Sequence, residues 1–233
     1  MAAPRTFRQH RFQPAPGACE ILLVRHGESA PMVEGDAFSL IDGHGDPHLH
    51  ADGVAQAEQV AARLAAAAER IAAIYVTKLS RTQQTAAPLA ARLGLEPVVD
   101  PDLHEVFLGD WEGGEFRRRV ADEDPIAQQM YADQRWDVIP NGEPAAEFEA
   151  RVRRGLERIA AAHPDELVVV VAHGGVIGQA MNIASGASGF TFTGAANASV
   201  THLVIEPGRW VVRCYNDTGH LWPTFGAQPV ATD

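Results

Sequence analysis

Two histidines stand directly after apolar runs of the sequence. Residues 21–24 are followed by Arg25 and His26, and residues 167–171 lead, through one alanine, to His173. An imidazole can attack phosphorus as a nucleophile, and a planar guanidinium can bind two phosphoryl oxygens at once. Apolar runs without alternation predict strands buried on both faces, and such sheets bind ligands at the carboxyl ends of their strands. We therefore expect these side chains to meet at one sheet edge and to form an active site.

Two further residues of catalytic type follow predicted strands. Arg81 comes after the apolar run 74–76, and Glu105 comes after a short valine run. In phosphoryl transfer the charge spreads over the equatorial oxygens of phosphorus, so catalysis depends on cations placed around them. Arg81 would bind that charge, and the carboxyl group of Glu105 could protonate a leaving alkoxide. Glu28 and Glu112 are competing carboxylates for the second role.

The substrate-binding set includes two residues beside these. Gly174 stands directly before a predicted helix, from about Gly175 to Ile183, whose free N–H groups would face the same anion. Ser29 follows His26 closely in the chain. We expect the substrate to be bound by Arg25, Arg81, His173, Gly174 and Ser29.

Five short motifs occur in one order along residues 20–221. They are Arg25-His26-Gly27-Glu28; Ser80-Arg81 with Thr85-Ala86; Leu103-His104-Glu105 with Gly109-Asp110-Trp111-Glu112-Gly113; Ala172-His173-Gly174; and Asn216-Asp217-Thr218-Gly219-His220-Leu221. In type and order these motifs resemble the histidine phosphatase (phosphoglycerate mutase-like) superfamily. The stretch 109–113 looks more like its phosphatase branch than its sugar-phosphate mutases.

The resemblance implies a function and roles for the matching residues. His26 would become a phosphohistidine intermediate, and Glu105 would be the proton donor. The reaction would need no cofactor and no metal, and the substrate would be a small phosphomonoester. One position departs from the pattern: Met32 stands where many relatives have an asparagine that helps to hold the phosphate. This departure predicts a different course for the surrounding loop.

The order of predicted strands and helices indicates one α/β domain over residues 18–226. We expect a mostly parallel central sheet flanked by helices, with an antiparallel edge hairpin formed by 199–206 and 209–215. Residues 106–142, whose periodicity is weak, are expected to cap the site, with Trp111, Phe116, Tyr131 and Trp136 along the pocket. Residues 1–17 are expected to be a mobile tail and 227–233 a C-terminal tail.

Local signals set expectations for two helices. Asp52 can cap a helix whose apolar face carries Val54, Ala57, Val60, Ala61 and Leu64. Pro88 should lie in the first turns of the next helix or bend it.

Composition excludes several classes of partner. The formal net charge of −11 argues against nucleic acid and against anionic membrane surfaces. No apolar stretch approaches the roughly 18 residues that span a bilayer, so we expect a cytoplasmic protein. The two cysteines, Cys19 and Cys214, are expected to be reduced thiols. The sequence leaves a homodimer open.

The loop 29–50 carries alternating acidic and imidazole side chains. Their spacing on an irregular loop differs from that of zinc ligands, and we interpret them as a polar rim of the pocket or a solvated loop. The alternating side chains are those of Asp42, His44, Asp46, His48 and His50.

Three alternatives to a phosphatase stay open: a phosphoglycerate mutase-type isomerase, an inactive module that binds a phosphorylated ligand, and a metallohydrolase built on the loop 29–50.

Overall fold

A six-stranded sheet forms the centre of the protein, in a computed structural model that describes residues 5–67 and 70–222. Its strands are β1 (Cys19–Arg25), β4 (Ile71–Val76), β5 (Val98–Val99), β6 (Leu167–Ala172), β7 (Val200–Glu206) and β8 (Arg209–Asp217), and β2 (Leu40–Ile41) with β3 (His44–Gly45) makes a separate small hairpin. The order is β5-β4-β6-β1-β7-β8. The first four strands of this order are parallel, and β7 and β8 continue the sheet in antiparallel pairing. The predicted α/β sheet with an antiparallel edge hairpin is therefore confirmed.

Helices cover both faces of the sheet. They are α1 (Ala51–Ala65), α2 (Ser80–Leu93), α3 (Glu115–Ala121), α4 (Pro125–Asp133), α5 (Ala145–Ala162) and α6 (Gly174–Ser185). Apolar residues of α1 and α2 share one buried cluster with β4 and one face of β6. Those of α5 and α6 share another with the opposite face. Full burial of one such aliphatic side chain contributes about 1.5–3 kcal/mol, so the central strands are fixed from both sides.

The two strands that precede the histidines are direct neighbours. Every residue of β6 is buried, as its unbroken apolar run predicts. It pairs in parallel with β1, and Arg25 lies opposite Ala172 in the register. The residues that follow the two strands therefore leave the sheet at the same edge.

Two local expectations for helices are wrong. Asp52 does not cap α1; the imidazole of His50 does, accepting a hydrogen bond from the Asp52 amide at 3.4 Å. Val54 is 53% exposed, whereas its neighbours Gly53 and Gln56 are buried and contact the backbone of Glu28. Pro88 lies well inside α2 and not in its first turns, and the alternative that it bends this helix stays a prediction.

The segment 106–142 carries short helices with a hydrophobic cluster of its own. It contains α3, α4 and two 3-10 turns, Gly109–Gly114 and Trp136–Val138. Trp111, Ala127, Met130 and Ile139 form the buried centre of that cluster, apart from the clusters of the main sheet. The cap expectation stays a prediction.

The chain ends and the cysteines complete the description. Residues 5–17 contain no helix or strand, although Phe12 lies under the guanidinium of Arg213. Residues 1–4 and 227–233 of the two expected tails lie outside the described residues. Both cysteines are free thiols. Within the described ranges, no helix has the length and apolar character needed to cross a bilayer.

Candidate active site

His26 and His173 lie side by side at the carboxyl edge of the sheet. Their ring centroids are 5.3 Å apart, with the rings in edge-to-face arrangement. His26 is 7% exposed and lines a cavity of about 1270 Å³, whereas His173 is fully buried behind it. The strand register sets this pairing, since each histidine directly follows one of two adjacent strands.

The tautomer of His26 is fixed by its own loop. Nδ1 lies 2.7 Å from the carbonyl oxygen of Gly27, which can only accept a hydrogen bond. Nδ1 therefore carries the proton and Nε2 holds the lone pair. Burial, followed by the charges of Arg81 and Arg25, lowers the pKa of His26 well below its usual value, which keeps the ring neutral. A neutral imidazole with a free Nε2 is the form that can act as a nucleophile.

Two guanidinium groups border this imidazole. Arg81 is buried, and its Nη1 donates to the Gly45 carbonyl at 2.9 Å. Arg25 donates through Nη1 to the Ala195 carbonyl, while its buried Nε–H has no hydrogen-bond partner within the described residues. Burial lowers the pKa of both arginines, but a guanidinium stays charged under any physiological condition. The site therefore holds buried positive charge with donor capacity left for an anion.

His173 is held from behind by a threonine. Its Nε2 lies 3.1 Å from the Thr77 hydroxyl, and its buried Nδ1 is unpaired among residues 5–67 and 70–222. Burial is the largest cause that lowers the pKa of His173, with Arg81 and His26 next. The neutral ring can accept from Thr77 and offer Nδ1–H to a ligand.

Glu105 is docked on the start of α6. Its Oε2 accepts from the Gly175 amide at 3.2 Å, and its Oε1 accepts from the Val106 amide at 2.9 Å. A Cβ at position 175 would lie 2.5 Å from Oε1, so only glycine leaves room for the carboxylate. Gly174 packs beside Arg25. One N–H group of the first turn of α6, that of Gly175, thus binds Glu105 in this structure, where the sequence predicts that these groups face the substrate.

Ser29 leads to an arginine that the sequence interpretation missed. Its hydroxyl accepts from Nη2 of Arg117 at 2.7 Å, and the same guanidinium donates to the Ala30 carbonyl and lies over the Phe38 ring. Arg117 lines the cavity, and its charge lowers the pKa of His26. The signal was a run of three arginines, 117–119, that begins three positions after a glycine pair.

Two residues of α1 support the nucleophile loop and were also missed. The Gln56 side chain accepts from the Glu28 amide at 2.9 Å. A Cβ on Gly53 would lie 2.0 Å from the Glu28 carbonyl oxygen, so the two backbones touch. A Cβ on Gly27 would in turn lie 2.4 Å from the Gly53 oxygen. Both glycines are therefore required by close packing.

Glu112, a competing carboxylate, is engaged elsewhere. One oxygen accepts from the Leu108 amide at 3.0 Å and the other from the Gly45 amide at 2.7 Å. Because the Gly45 carbonyl in turn accepts from Arg81, this carboxylate helps to place that guanidinium. Glu112 therefore joins the segment 106–142 to the loop 29–50.

Aromatic side chains of the segment 106–142 form part of the cavity lining. Phe116, Trp111 and Trp136 line the cavity as the sequence predicts. Tyr131 does not; it is 49% exposed and packs against Phe190 on the outside. Its helix, α4, presents Ala127 and Met130 inward instead.

The acidic and imidazole side chains of residues 42–50 point to separate partners. Asp42 pairs with Lys78, Asp46 accepts from the amide and hydroxyl of Ser80, and His44 bonds the Glu105 carbonyl. In the part of the chain that the structure describes, no group of three or more His, Cys, Asp or Glu side chains is arranged to hold a metal ion. These side chains anchor the loop to the rim.

Comparison with known proteins points to one family. Residues 21–218 match the model of the histidine phosphatase superfamily (branch 1). "Phosphoglycerate mutase-like protein 4" of Arabidopsis thaliana is 34% identical over 209 residues, which cover 88% of each chain. "Metal-independent phosphoserine phosphatase" of the same plant is 32% identical over 206 residues, 87% of this chain and 83% of that protein. The crystal structure of a mycobacterial glucosyl-3-phosphoglycerate phosphatase superposes with a TM-score of 0.71 at 28% identity, covering 86% of this chain and 100% of that one.

Proposed function

The chain belongs to the histidine phosphatase superfamily, and on that basis we propose that it hydrolyses a small phosphomonoester through a phosphohistidine on His26, without a metal ion. Nε2 of His26 attacks phosphorus while the bond from phosphorus to the ester oxygen breaks. Glu105 gives its proton to the leaving oxygen. Water then attacks the phosphohistidine, Glu105 takes a proton from it, and inorganic phosphate leaves with Nε2 free again.

One observation carries this proposal: the Gly27 carbonyl fixes the His26 tautomer so that Nε2 is the lone pair beside two buried guanidinium groups. Arg25 and Arg81 would bind the equatorial oxygens, where charge accumulates. Nδ1 of His173 and the remaining donors of Arg117 would add further contacts. The buried Nε–H of Arg25, which has no partner among the residues that the structure describes, supports the same conclusion, since a buried donor without a partner is costly unless a ligand satisfies it.

The comparisons favour hydrolysis over isomerisation without fixing the substrate. Two of the similar proteins reported above carry phosphatase names, one for phosphoserine and one for glucosyl-3-phosphoglycerate. The other is named phosphoglycerate mutase-like. A cavity of about 1270 Å³, lined in part by aromatic side chains, accommodates organic groups of several sizes. We therefore propose a phosphatase whose substrate is a small phosphorylated metabolite.

The test is a hydrolysis screen over sugar phosphates, phosphoglycerates, phosphoamino acids and nucleotides, with a chelator present throughout. We expect phosphate release that survives chelation, and a phosphoryl label that can be trapped on position 26 at alkaline pH. His26→Ala should abolish both while the protein stays folded. His48→Ala is the matched control, because His48 is an exposed histidine of the neighbouring loop.

Other outcomes would reassign the protein. Isomerisation of a phosphoglycerate without phosphate release would make it a mutase. Tight binding of phosphorylated ligands with no turnover would make it a binding module. Loss of activity with the chelator would indicate a metallohydrolase.

A further inference from the structure

Arg151 of α5 is a buried arginine outside the cavity with every donor occupied. Its side chain is 15% exposed. Nη1 donates to the carbonyls of Asp102 and His104, at 2.9 and 2.6 Å. Nη2 donates to the Glu105 carbonyl at 2.8 Å, and Nη2 and Nε form a bidentate pair with Glu143. A guanidinium has five N–H groups, and here all five are used.

The three carbonyls belong to the acid segment, residues 102–107, which carries Glu105. From His104 onward this segment has no helix or strand, so its main-chain groups need partners from elsewhere. Glu143 supplies two such partners to Phe107. Its carboxylate accepts a hydrogen bond from the Phe107 amide at 3.1 Å, and its own amide donates to the Phe107 carbonyl at 2.9 Å. The arginine and its carboxylate thus hold the backbone on both sides of Glu105.

We propose that Arg151, itself fixed by Glu143, is a positioning residue that sets Glu105 for proton transfer to the leaving group. It acts through the backbone of the acid segment and does not touch the substrate. This inference rests on the proposed role of Glu105. The Glu105 carboxylate reaches the Gly175 amide only when the backbone of Glu105 holds a defined position. A displacement of this backbone by about 1 Å would therefore lower the rate of proton transfer strongly.

The same helix offers a matched control. Arg154 lies one turn further along α5, and its side chain is 59% exposed. It binds the carboxylate of Asp102 instead of main-chain carbonyls near Glu105. Its exposed guanidinium contributes little to stability, and Asp102 keeps Arg158 as a second partner. Removing Arg154 should therefore leave the position of Glu105 unchanged.

The experiment compares two substrates that differ in their need for an acid. An alkyl phosphate has a poor leaving group that must be protonated, whereas 4-nitrophenolate leaves without help. We expect Arg151→Met to lower kcat/KM for the alkyl phosphate about tenfold more than for 4-nitrophenyl phosphate, a part of the range that a general acid contributes. Arg154→Met should leave the ratio unchanged. Arg151→Lys should not restore it, because an ammonium has three donors and no planar fork.

A double variant separates positioning from general damage to the fold. In Glu105→Gln protein the proton donor is already absent, so adding Arg151→Met should not change the substrate ratio further. Thermal unfolding of each variant measures the folded fraction, which lowers both rates equally. If Arg151→Met gives too little folded protein, Glu143→Gln is the second variant and should change the ratio in the same direction.

The two proposals fail in different ways. Turnover by His26→Ala would refute the proposed function. If His26→Ala is inactive and Glu105→Gln discriminates between the substrates, an equal loss for both substrates with Arg151→Met would overturn this inference alone. A change of the substrate ratio in Arg154→Met as large as the change in Arg151→Met would overturn it as well.

Discussion

Alanine at position 53 should disable the enzyme without unfolding it. Gly53 lies in the first turn of α1, directly against the loop that carries His26. Its Cβ would be 2.0 Å from the Glu28 oxygen and 2.7 Å from the Glu28 nitrogen. Both are backbone atoms, so no side chain can rotate away.

The geometry sets the size of the effect. Cβ atoms essentially never approach another heavy atom within 3.0 Å, so the loop and the helix must separate by about 1 Å or more. A displacement of about 1 Å at a reacting group costs on the order of 100-fold in rate. Overpacking costs about 1–3 kcal/mol of unfolding free energy. Alanine has a better helix propensity than glycine, which offsets about 1 kcal/mol of that loss in unfolding free energy. The variant should therefore stay folded.

The assay is kcat/KM for 4-nitrophenyl phosphate together with the melting temperature. We expect Gly53→Ala to lose about 100-fold in kcat/KM, with a melting temperature lower by no more than about 8 °C. Val54→Ala is the control, since this neighbour is exposed and should keep full activity. Wild-type kcat/KM in Gly53→Ala would show that the contact does not place the nucleophile loop, and the reasoning would be wrong.

Three further outcomes test the charges of the site. Arg81→Ala should raise KM and lower kcat together, because the guanidinium would bind the ground state and bind the transition state more tightly; steady-state kinetics that leave both unchanged would remove Arg81 from the site. Arg117→Met should raise KM for phosphate esters and weaken competitive inhibition by inorganic phosphate about tenfold, an effect typical of one lost charged hydrogen bond, whereas Arg119→Met, which removes ion pairs with Asp124 and Glu115, should not. Burial lowers the pKa of His104 from an ordinary 6.5 to about 4. Between pH 6.5 and pH 4 the unfolded chain therefore binds a proton at this histidine that the folded chain does not. The free energy of unfolding should fall as the pH falls through 6.5. Urea unfolding at pH 7.5 and 5.5 should show that loss, and His104→Gln should reduce it by about 1.4 kcal/mol.

The sequence alone determined the core of the fold and of the candidate site. The apolar runs that end at Arg25 and before His173 predicted two buried strands, and parallel strands of one sheet must end at the same edge. That the two strands are direct neighbours is known from the structure. The edge hairpin followed from alternation and from the Pro207-Gly208 turn. Such signals are local, because the pattern of apolar and polar residues along a strand shows whether one face or both faces of the strand are buried.

Tertiary structure alone decided which side chains support these residues. Arg117 and Arg151 reach the site from helices far along the chain, and the periodicity of those helices says nothing about what their polar faces meet. Gly53 was missed because a glycine that lets two backbones touch has no pattern of its own. Val54 was predicted to be a core residue but is exposed. The rotation of α1 about its own axis decides which of its side chains are buried, and this rotation is set by packing against other elements. Contacts between distant segments depend on the relative placement of whole elements, and that placement is fixed only when all of them pack together.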